Sequence, residues 1–149
     1  MTKSDSWLAR TPLQVRFRDL DAMGHVNNAV YLTYFEMGRV AYLDLLGLDD
    51  PSRSYVERFP FVIAQVTAWY RSPAVLEDEL EVRVRIPKVR TKRFDFEYCI
   101  VSGRDQRLVA EGMSVQVGYD YETGTSASLP QKLVDRIVEL EGSQVLEEV

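Results

Sequence analysis

Residues 16–31 read RFRDLDAMGHVNNAVY and join two segments whose apolar residues follow different periods. On the N-terminal side, Leu13, Val15 and Phe17 alternate with polar residues, which predicts a half-buried strand. From Tyr31 onward, apolar residues recur at three- and four-residue steps, which predicts a helix over residues 28–46 that ends at Gly47. Because apolar residues occupy most of its circumference, we expect this helix to be buried and wrapped by a sheet.

The rest of the chain supplies the strands of that sheet. Alternating patterns predict strands over residues 61–71, 79–86, 94–100 and 108–119, and Pro130 opens a short amphipathic helix. The order of these elements predicts an α+β fold with one antiparallel sheet and a frayed tail after Gly142. In the first of the four strands, we expect a face of small residues to pack on the long helix and a bulkier face to point away. The small face comprises Val62, Ala64, Val66 and Ala68, and the bulkier face comprises Phe61, Ile63, Thr67 and Trp69.

The composition is that of one globular domain, which we expect to span residues 1–149. Hydrophobic residues make up 46% of the 149 positions and charged residues 28%, and no apolar run approaches the ~20 residues that cross a bilayer. A formal net charge of −5 disfavours binding to nucleic acid and insertion at anionic membranes. The first ten residues lack the apolar middle of a signal peptide, so we expect a cytoplasmic protein. Cys99 is the single cysteine, which excludes an intramolecular disulfide.

The start of the long helix carries most of the reactive chemistry in the sequence. The first backbone N–H groups of a helix lack intrahelical partners and carry the positive end of the helix dipole, so they attract an oxygen that gains negative charge. Asp21 lies just upstream, in a turn that contains Gly24, so a carboxylate and free donors are expected to face one small volume. This combination suits acyl transfer, although Asp21, Asn27 or Asn28 could instead serve as the helix N-cap.

A metal centre has less support than acyl transfer. His25 is the only histidine, and Asp19 and Asp21 have no third or fourth ligand near them in the sequence. Both glycine-rich phosphate-binding motifs are also missing from the sequence. We therefore expect no metal ion and no bound cofactor.

The segment from Asp19 to Tyr31 has the pattern Asp-x-Asp-x-x-Gly-His-Val-Asn-Asn-x-x-Tyr. This pattern resembles the signature of the hot-dog-fold acyl-CoA thioesterases of the 4-hydroxybenzoyl-CoA thioesterase type. The resemblance covers roughly residues 13–130 and continues through Tyr34-Phe35-Glu36, Arg39 and Tyr70-Arg71-Ser72-Pro73-Ala74. It implies a hot-dog fold, in which an antiparallel sheet wraps a long central helix, and hydrolysis of an acyl-CoA to a free acid and CoA.

The resemblance also implies roles for individual residues. Asp21 matches the catalytic carboxylate, either as a nucleophile or as the base that activates a water. The backbone N–H of Asn28 matches the donor to the thioester oxygen. Gly24 lets the turn pass close to the substrate, and His25 orients the turn or a water. Tyr31 is assigned to the substrate site, chiefly as a packing residue at the base of the helix.

Two other functions stay open on the sequence. A hot-dog module that binds acyl-CoA without hydrolysing it has no need of a carboxylate such as Asp21 beside the thioester. A hot-dog dehydratase needs a histidine and an acid placed for proton removal, and His25 is available for that role. Glu36 is a second acid on the helix, but its spacing to Arg39 favours an i, i+3 ion pair over catalysis.

A basic stretch predicts where the carrier of the acyl group binds. Residues 83–93 contain six cations and no acid. CoA carries phosphates that need cations outside the acyl pocket, although cations also protect exposed sheet edges. We predict that Lys88, Arg90, Lys92 and Arg93 bind the phosphates of CoA, and the sequence leaves open an acyl-carrier protein as the alternative carrier.

The apolar surface predicts an oligomer. One long helix can cover only one face of a sheet, and the strand over residues 61–71 has apolar residues on both faces. That strand is also a candidate edge, and long apolar edges are normally paired. We therefore expect a homodimer or homotetramer in which the sheet continues across the interface and each active site uses both chains.

Overall fold

The computed structural model describes residues 6–147, which form an antiparallel sheet, a long helix and a terminal helix. The strands are β1 (Ala9–Gln14), β2 (Phe61–Tyr70), β3 (Glu79–Val89), β4 (Arg93–Ser102), β5 (Leu108–Asp120) and a short β6 (Thr125–Ser126). The helices are α1 (Val30–Leu45), α2 (Tyr55–Arg58) and α3 (Gln131–Glu141), and 3₁₀ turns cover Phe17–Asp19 and Ser143–Val145. The α+β fold and its order of elements are therefore confirmed.

The main sheet has the strand order β1-β3-β4-β5-β2, and every neighbouring pair is antiparallel. The strands β1 and β2 consequently form its two edges, which confirms the edge position expected for β2. The buried core draws on residues from Ala9 to Val145, so it extends past the range 13–130 at both ends.

Helix α1 packs on the concave side of the sheet over β1, β3 and β4. The close approach occurs at Gly38, where an added Cβ would lie 2.6 Å from Cγ2 of Val84 and 2.7 Å from Cγ1 of Val82. The helix turns the rings of Tyr34, Phe35 and Tyr42 into the core. A glycine at this position lets the helix backbone rest directly on the β3 valines.

The expectation that α1 is buried on all sides is wrong for a single chain. Leu32, Met37, Val40 and Leu45 are 43–48% exposed, because the sheet of one chain covers only one side of the helix. The apolar residues on the other side of α1 are therefore open to solvent in a single chain.

The faces of β2 are correctly predicted only for its second half. Ile63 pairs with Gln116 and Gln65 with Val115, so Ala64 is an extra residue in a β-bulge. Directly opposed residues share a face, and Ala68 lies opposite Gly112, whose added Cβ would contact the Phe35 ring of the helix.

The bulge moves every residue that precedes it to the other face, since side chains alternate along a strand. Phe61 therefore points toward the core, where its ring contacts Phe94 at a centroid distance of 5.0 Å, and the expectation that it points away is wrong. Because α1 lies mainly over β1, β3 and β4, this concave face of β2 stays partly open, and Ile63 and Val66 are 42% and 38% exposed.

The end of strand β1 and the C-terminal tail also differ from the expectation. The strand β1 stops at Gln14, and Phe17 lies in the 3₁₀ turn with 81% of its surface exposed, so its expected inward position is wrong. The tail is ordered as far as the structure describes it, because Val145 is buried and the Glu147 N–H donates to Val89 O at 2.9 Å. The last two residues, 148 and 149, lie outside the described range.

Within residues 6–147, no helix combines the length and apolar character needed to cross a membrane.

Candidate active site

The turn between β1 and α1 is held in place by Asp19. Its buried carboxylate accepts hydrogen bonds from the Arg16 N–H at 2.9 Å, from Arg16 Nη2 at 2.9 Å and from Tyr34 Oη at 2.7 Å. The Asp19 backbone oxygen accepts a further bond from the Asn27 N–H at 2.8 Å. Burial opposes ionisation, but the bonds from Arg16 and Tyr34 outweigh it and lower the pKa of Asp19. Asp19 is thus a structural anion, because both of its carboxylate oxygens accept hydrogen bonds from Arg16 or Tyr34.

Asp21 has the opposite environment, although it lies only two residues later. It is exposed, and its Oδ1 accepts from the backbone N–H groups of Met23 at 2.8 Å and His25 at 3.3 Å. Among residues 6–147, no donor is bonded to its Oδ2. Gly24 completes the turn with a φ of +79°, a left-handed conformation that favours glycine. The carboxylate of Asp21 is therefore oriented through one oxygen and available through the other.

The first turn of α1 is organised by Asn27. Its Oδ1 accepts from the Ala29 N–H at 3.0 Å, and its backbone oxygen accepts from the Val30 N–H at 2.9 Å. Helix α1 begins at Val30, two residues later than expected, and Asp21 bonds to none of its N–H groups. The alternative in which Asp21 caps the helix is therefore wrong.

The backbone N–H of Asn28 is a free donor just ahead of α1. Within the described part of the chain, this N–H makes no hydrogen bond, whereas the Asn28 carbonyl accepts a bond from Tyr70 Oη at 2.8 Å. Asn28 is exposed and lies just ahead of α1, where the helix dipole favours negative charge.

An open cleft of about 340 Å³ brings these groups together. Its lining comprises Asp21, His25, Val26, Asn28, Tyr31, Tyr70, Arg71, Ser72 and Pro73. The cleft thus unites Asp21, His25, Asn28 and Tyr31 from the predicted set, and Gly24 shapes the turn beside it. An oxygen placed near the Asn28 N–H would lie in the same cleft as the Asp21 carboxylate.

Tyr31 forms the wall at the base of the helix. It is buried, and its ring contacts those of Tyr34 and Tyr70 at centroid distances of 5.9 and 5.2 Å. Burial raises the pKa of the Tyr31 phenol, so the group stays protonated at neutral pH. These contacts agree with a packing role at the edge of the cleft.

Sequence reasoning assigned no individual role to the residues that close the cleft from the β2 side. Tyr70 ends β2, and Arg71, whose Nε lies 2.9 Å from Glu111 Oε2, is the cation of the cleft lining. Their only signal was membership of a motif, because nothing in the pattern shows that residues 70–73 return to the helix start.

We use the name basic hairpin for the end of the β3–β4 hairpin, residues 87–93, whose cations are Lys88, Arg90, Lys92 and Arg93. It is not part of this cleft in the same chain. Arg93 pairs with Val117, whereas Tyr70 at the cleft pairs with Ala110, so about 23 Å of strand β5 separates the two places. Lys88 and Arg90 form ion pairs with Glu147 at 3.4 and 2.5 Å.

The structure also pairs the cations that precede the hairpin. Arg83 contacts Glu81 and Arg85 contacts Glu97, each at 2.6 Å. Although residues 83–93 contain no acid, carboxylates from other parts of the chain therefore pair with Arg83, Arg85, Lys88 and Arg90. Lys92 and Arg93 are exposed and have no ion pair within residues 6–147.

Metal coordination finds no support in the arrangement of acidic side chains. Within residues 6–147, no group of three or more His, Cys, Asp or Glu side chains is close enough to hold an ion. Asp19 faces Arg16 and Tyr34, so the pair of aspartates does not converge on one position.

Comparisons with known proteins identify relatives over most of the chain. The sequence model of the thioesterase-like superfamily matches residues 15–137. Acyl-CoA thioester hydrolase YbgC of Escherichia coli O6:H1 is 30% identical over 127 residues, which cover 85% of this chain and 93% of YbgC. The chloroplastic acyl-acyl carrier protein thioesterase ATL3 of Arabidopsis thaliana is 32% identical over 110 residues, but this chain spans only 56% of its length.

A solved structure shows the same fold. A thioesterase of Thermus thermophilus, complexed with coenzyme A and zinc, matches with a TM-score of 0.79 and 34% sequence identity. The alignment covers 93% of this chain and 97% of the Thermus chain.

Proposed function

The chain belongs to the thioesterase-like superfamily, and on this premise we propose that it hydrolyses an acyl-CoA thioester to a free acid and CoA. One observation carries the proposal: the available oxygen of Asp21 and the unbonded Asn28 N–H line the same cleft. A binding module without chemistry has no use for a carboxylate beside the thioester, since its charge repels the carbonyl oxygen.

The Asn28 N–H serves as the donor to the thioester oxygen. As the carbonyl carbon is attacked, this oxygen gains negative charge, and an N–H at the positive end of a helix stabilises that charge more than it stabilises the ground state. The His25 N–H, 3.3 Å from Asp21 Oδ1, helps to hold the carboxylate in its orientation.

Asp21 acts by one of two balanced routes. As a base, it takes a proton from a water whose oxygen forms the new bond to the acyl carbon; the C–S bond then breaks, and the departing thiolate takes up the proton. As a nucleophile, it displaces the thiolate to give a mixed anhydride. Water hydrolyses this anhydride to the acid and the regenerated carboxylate, and the proton that is released goes to the thiolate.

CoA is the carrier that we propose, in line with the names of the YbgC relative and with the coenzyme A bound in the Thermus structure. Its phosphates bind at the basic hairpin, through Lys92 and Arg93, and through Lys88 and Arg90 once Glu147 moves aside. Because about 23 Å separates the hairpin from the cleft of the same chain, the hairpin of a neighbouring chain supplies these cations.

A homodimer gives the cleft its missing wall. The outer side of α1 exposes Leu32, Met37 and Val40, and the concave face of the edge strand β2 exposes Ile63 and Val66. Burying both surfaces against a second copy, with the sheet continuing across β2, removes an unpaired edge and encloses the acyl group. We propose that each acyl pocket is lined by two chains. We also propose that the protein acts in the cytoplasm.

A panel of acyl-CoAs with a dye that traps free thiols tests this function. Hydrolysis releases CoA and acid in equal amounts in the wild type and not in Asp21→Asn. A dehydratase would instead convert 3-hydroxyacyl-CoA to an unsaturated product without free thiol, and a binding module would retain acyl-CoA unchanged. Either of these two outcomes would exclude the thioesterase.

A further inference from the structure

We propose that Tyr70 is a positioning residue that holds the Asn28 turn in the conformation needed to bind the thioester oxygen. The proposal rests on the thioesterase function above. It is carried by a single contact between the sheet and the helix start, in which Tyr70 Oη donates to the Asn28 carbonyl at 2.8 Å. Tyr70 acts through Asn28 and takes no part in bond making.

The Asn28 carbonyl lies outside the hydrogen-bond ladder of α1. In a regular helix it would accept the N–H of Leu32, four residues on. Here the Leu32 N–H donates to Ala29 O at 3.3 Å, and the phenol of Tyr70 takes the vacant position. Among the described residues, Tyr70 is the hydrogen-bond donor to this carbonyl.

The other ties at the helix start are local to it. In the Asn27–Asn28 peptide, which carries the Asn28 N–H, the Asn27 oxygen accepts a hydrogen bond from the Val30 N–H at 2.9 Å. In the next peptide, between Asn28 and Ala29, the Ala29 N–H donates to Asn27 Oδ1 at 3.0 Å. The bond from Tyr70 fixes the oxygen of that second peptide. It is the one hydrogen bond within residues 6–147 that relates the Asn28 turn directly to strand β2.

The ring of Tyr70 is itself braced. It packs against the buried ring of Tyr31 at 5.2 Å and an interplanar angle of 59°. Tyr31 in turn contacts Tyr34, whose hydroxyl is bonded to Asp19. Three tyrosines therefore link the anchor of the turn, Asp19, to the peptide beside the oxyanion donor.

This arrangement has a kinetic consequence. A donor stabilises a developing oxyanion only if it is aimed at the position that the oxygen reaches in the transition state. Loosening the Asn28 turn therefore reduces transition-state binding more than substrate binding, so kcat falls while KM changes little.

Tyr70→Phe tests the proposal because it deletes only the hydroxyl. Tyr55→Phe is the matched control, since both tyrosines are 49% exposed and the Tyr55 hydroxyl has no hydrogen bond within residues 6–147. We expect kcat to fall about three- to tenfold in Tyr70→Phe, the range for losing one hydrogen bond, with KM within about twofold. Tyr55→Phe should keep both constants.

Two further measurements separate positioning from a loss of stability. A trifluoromethyl ketone analogue of the acyl-CoA, which mimics the tetrahedral oxyanion, should bind Tyr70→Phe more weakly by the same factor as kcat. A thioether analogue without the carbonyl should bind both enzymes equally. In ¹⁵N NMR spectra, the amide of Ala29, whose peptide contains the Asn28 carbonyl, should shift in Tyr70→Phe and not in Tyr55→Phe.

Wild-type kcat in Tyr70→Phe would overturn the proposal, and so would equal weakening of both analogues. These results differ from failure of the thioesterase function, in which the wild type itself releases no CoA.

Discussion

Glu147 Oε1 lies 2.5 Å from Nη2 of Arg90, so a carboxylate of the same chain forms an ion pair with one cation of the basic hairpin. Glu147 also reaches Lys88 at 3.4 Å, and the bond from Arg90 lowers the pKa of Glu147, which keeps it ionised at neutral pH. An anionic ligand at this hairpin has to compete with Glu147.

Removing that competitor should strengthen CoA binding. We expect Glu147→Gln to lower KM for acyl-CoA about two- to fivefold at low salt, and Arg90→Glu to raise it about tenfold, with kcat unchanged in both. Short thioesters without a nucleotide should respond to neither change. Glu122→Gln, which removes an equal charge from an exposed loop, is the control. If KM is the same in all three variants, the hairpin does not bind CoA.

Asp21→Asn should lower kcat at least ~100-fold, since a general base or nucleophile contributes that much or more. The circular dichroism spectrum should be unchanged because Asp21 is exposed. Asp44→Asn provides the control, as Asp44 is an exposed aspartate without a side-chain partner in the described residues. A turnover above one third of wild type in Asp21→Asn would assign the chemistry to another group.

Asp19→Asn should destabilise the fold in a pH-dependent way. The hydrogen bonds of Asp19 are to its charged form, and we expect their loss to lower the free energy of unfolding at pH 7 by about 1–3 kcal/mol. The folded pKa of Asp19 is lowered, so its contribution is complete above the unfolded value near ~4 and disappears as the pH falls through the folded pKa. Urea unfolding at several pH values should show the two proteins converging in acid. A difference that is constant with pH would mean that the Asp19 charge is not involved.

Light scattering at micromolar concentration should give a mass at least twice the 17.1 kDa of one chain. Val66→Lys puts a charge on the open concave face of β2 and should produce a monomer without activity. Gln65→Lys, on the opposite face of the same strand, should stay oligomeric. A wild-type monomer that hydrolyses acyl-CoA would show that one chain suffices.

Gly38→Ala should lower the free energy of unfolding by about 1–3 kcal/mol, because the added Cβ would overlap Val82 and Val84 of β3. Lys132→Ala, on the exposed side of α3, should lower the free energy of unfolding only slightly. The combination of Gly38→Ala with Val84→Ala should be less destabilising than the sum of the single changes, because the smaller side chain makes room for the methyl group. Strict additivity would place the strain elsewhere.

Local patterns predicted the parts of the molecule that depend on neighbours in sequence. Strand periods, the long helix and the turn around Asp21 all follow from spacing over a few residues. The faces of β2 could not be predicted throughout, because one extra residue at the bulge inverts the alternation and leaves no mark in composition.

Asp21 has local partners, but two contacts that decide the environment of other predicted site residues are long-range. Tyr70 and Asn28 are 42 positions apart, and Arg90 and Glu147 are 57 apart. No period or motif relates such residues, so their pairing required the fold. Asp19 and Asp21 also read alike in sequence, and only their partners distinguish the buried anion from the available one.

The Asn28 turn is attached to β2 and to the loop that follows β2, and we expect this attachment to decide which part of the protein unfolds first. Tyr70 ends an edge strand, and the Val26 N–H donates to Ala74 O at 2.9 Å, just beyond that strand. Fraying of this corner would release the turn without exposing the rings of Phe35 and Tyr42 farther along α1. We therefore expect inactivation on warming to begin with local opening at this end of β2, before the cooperative melting of the core.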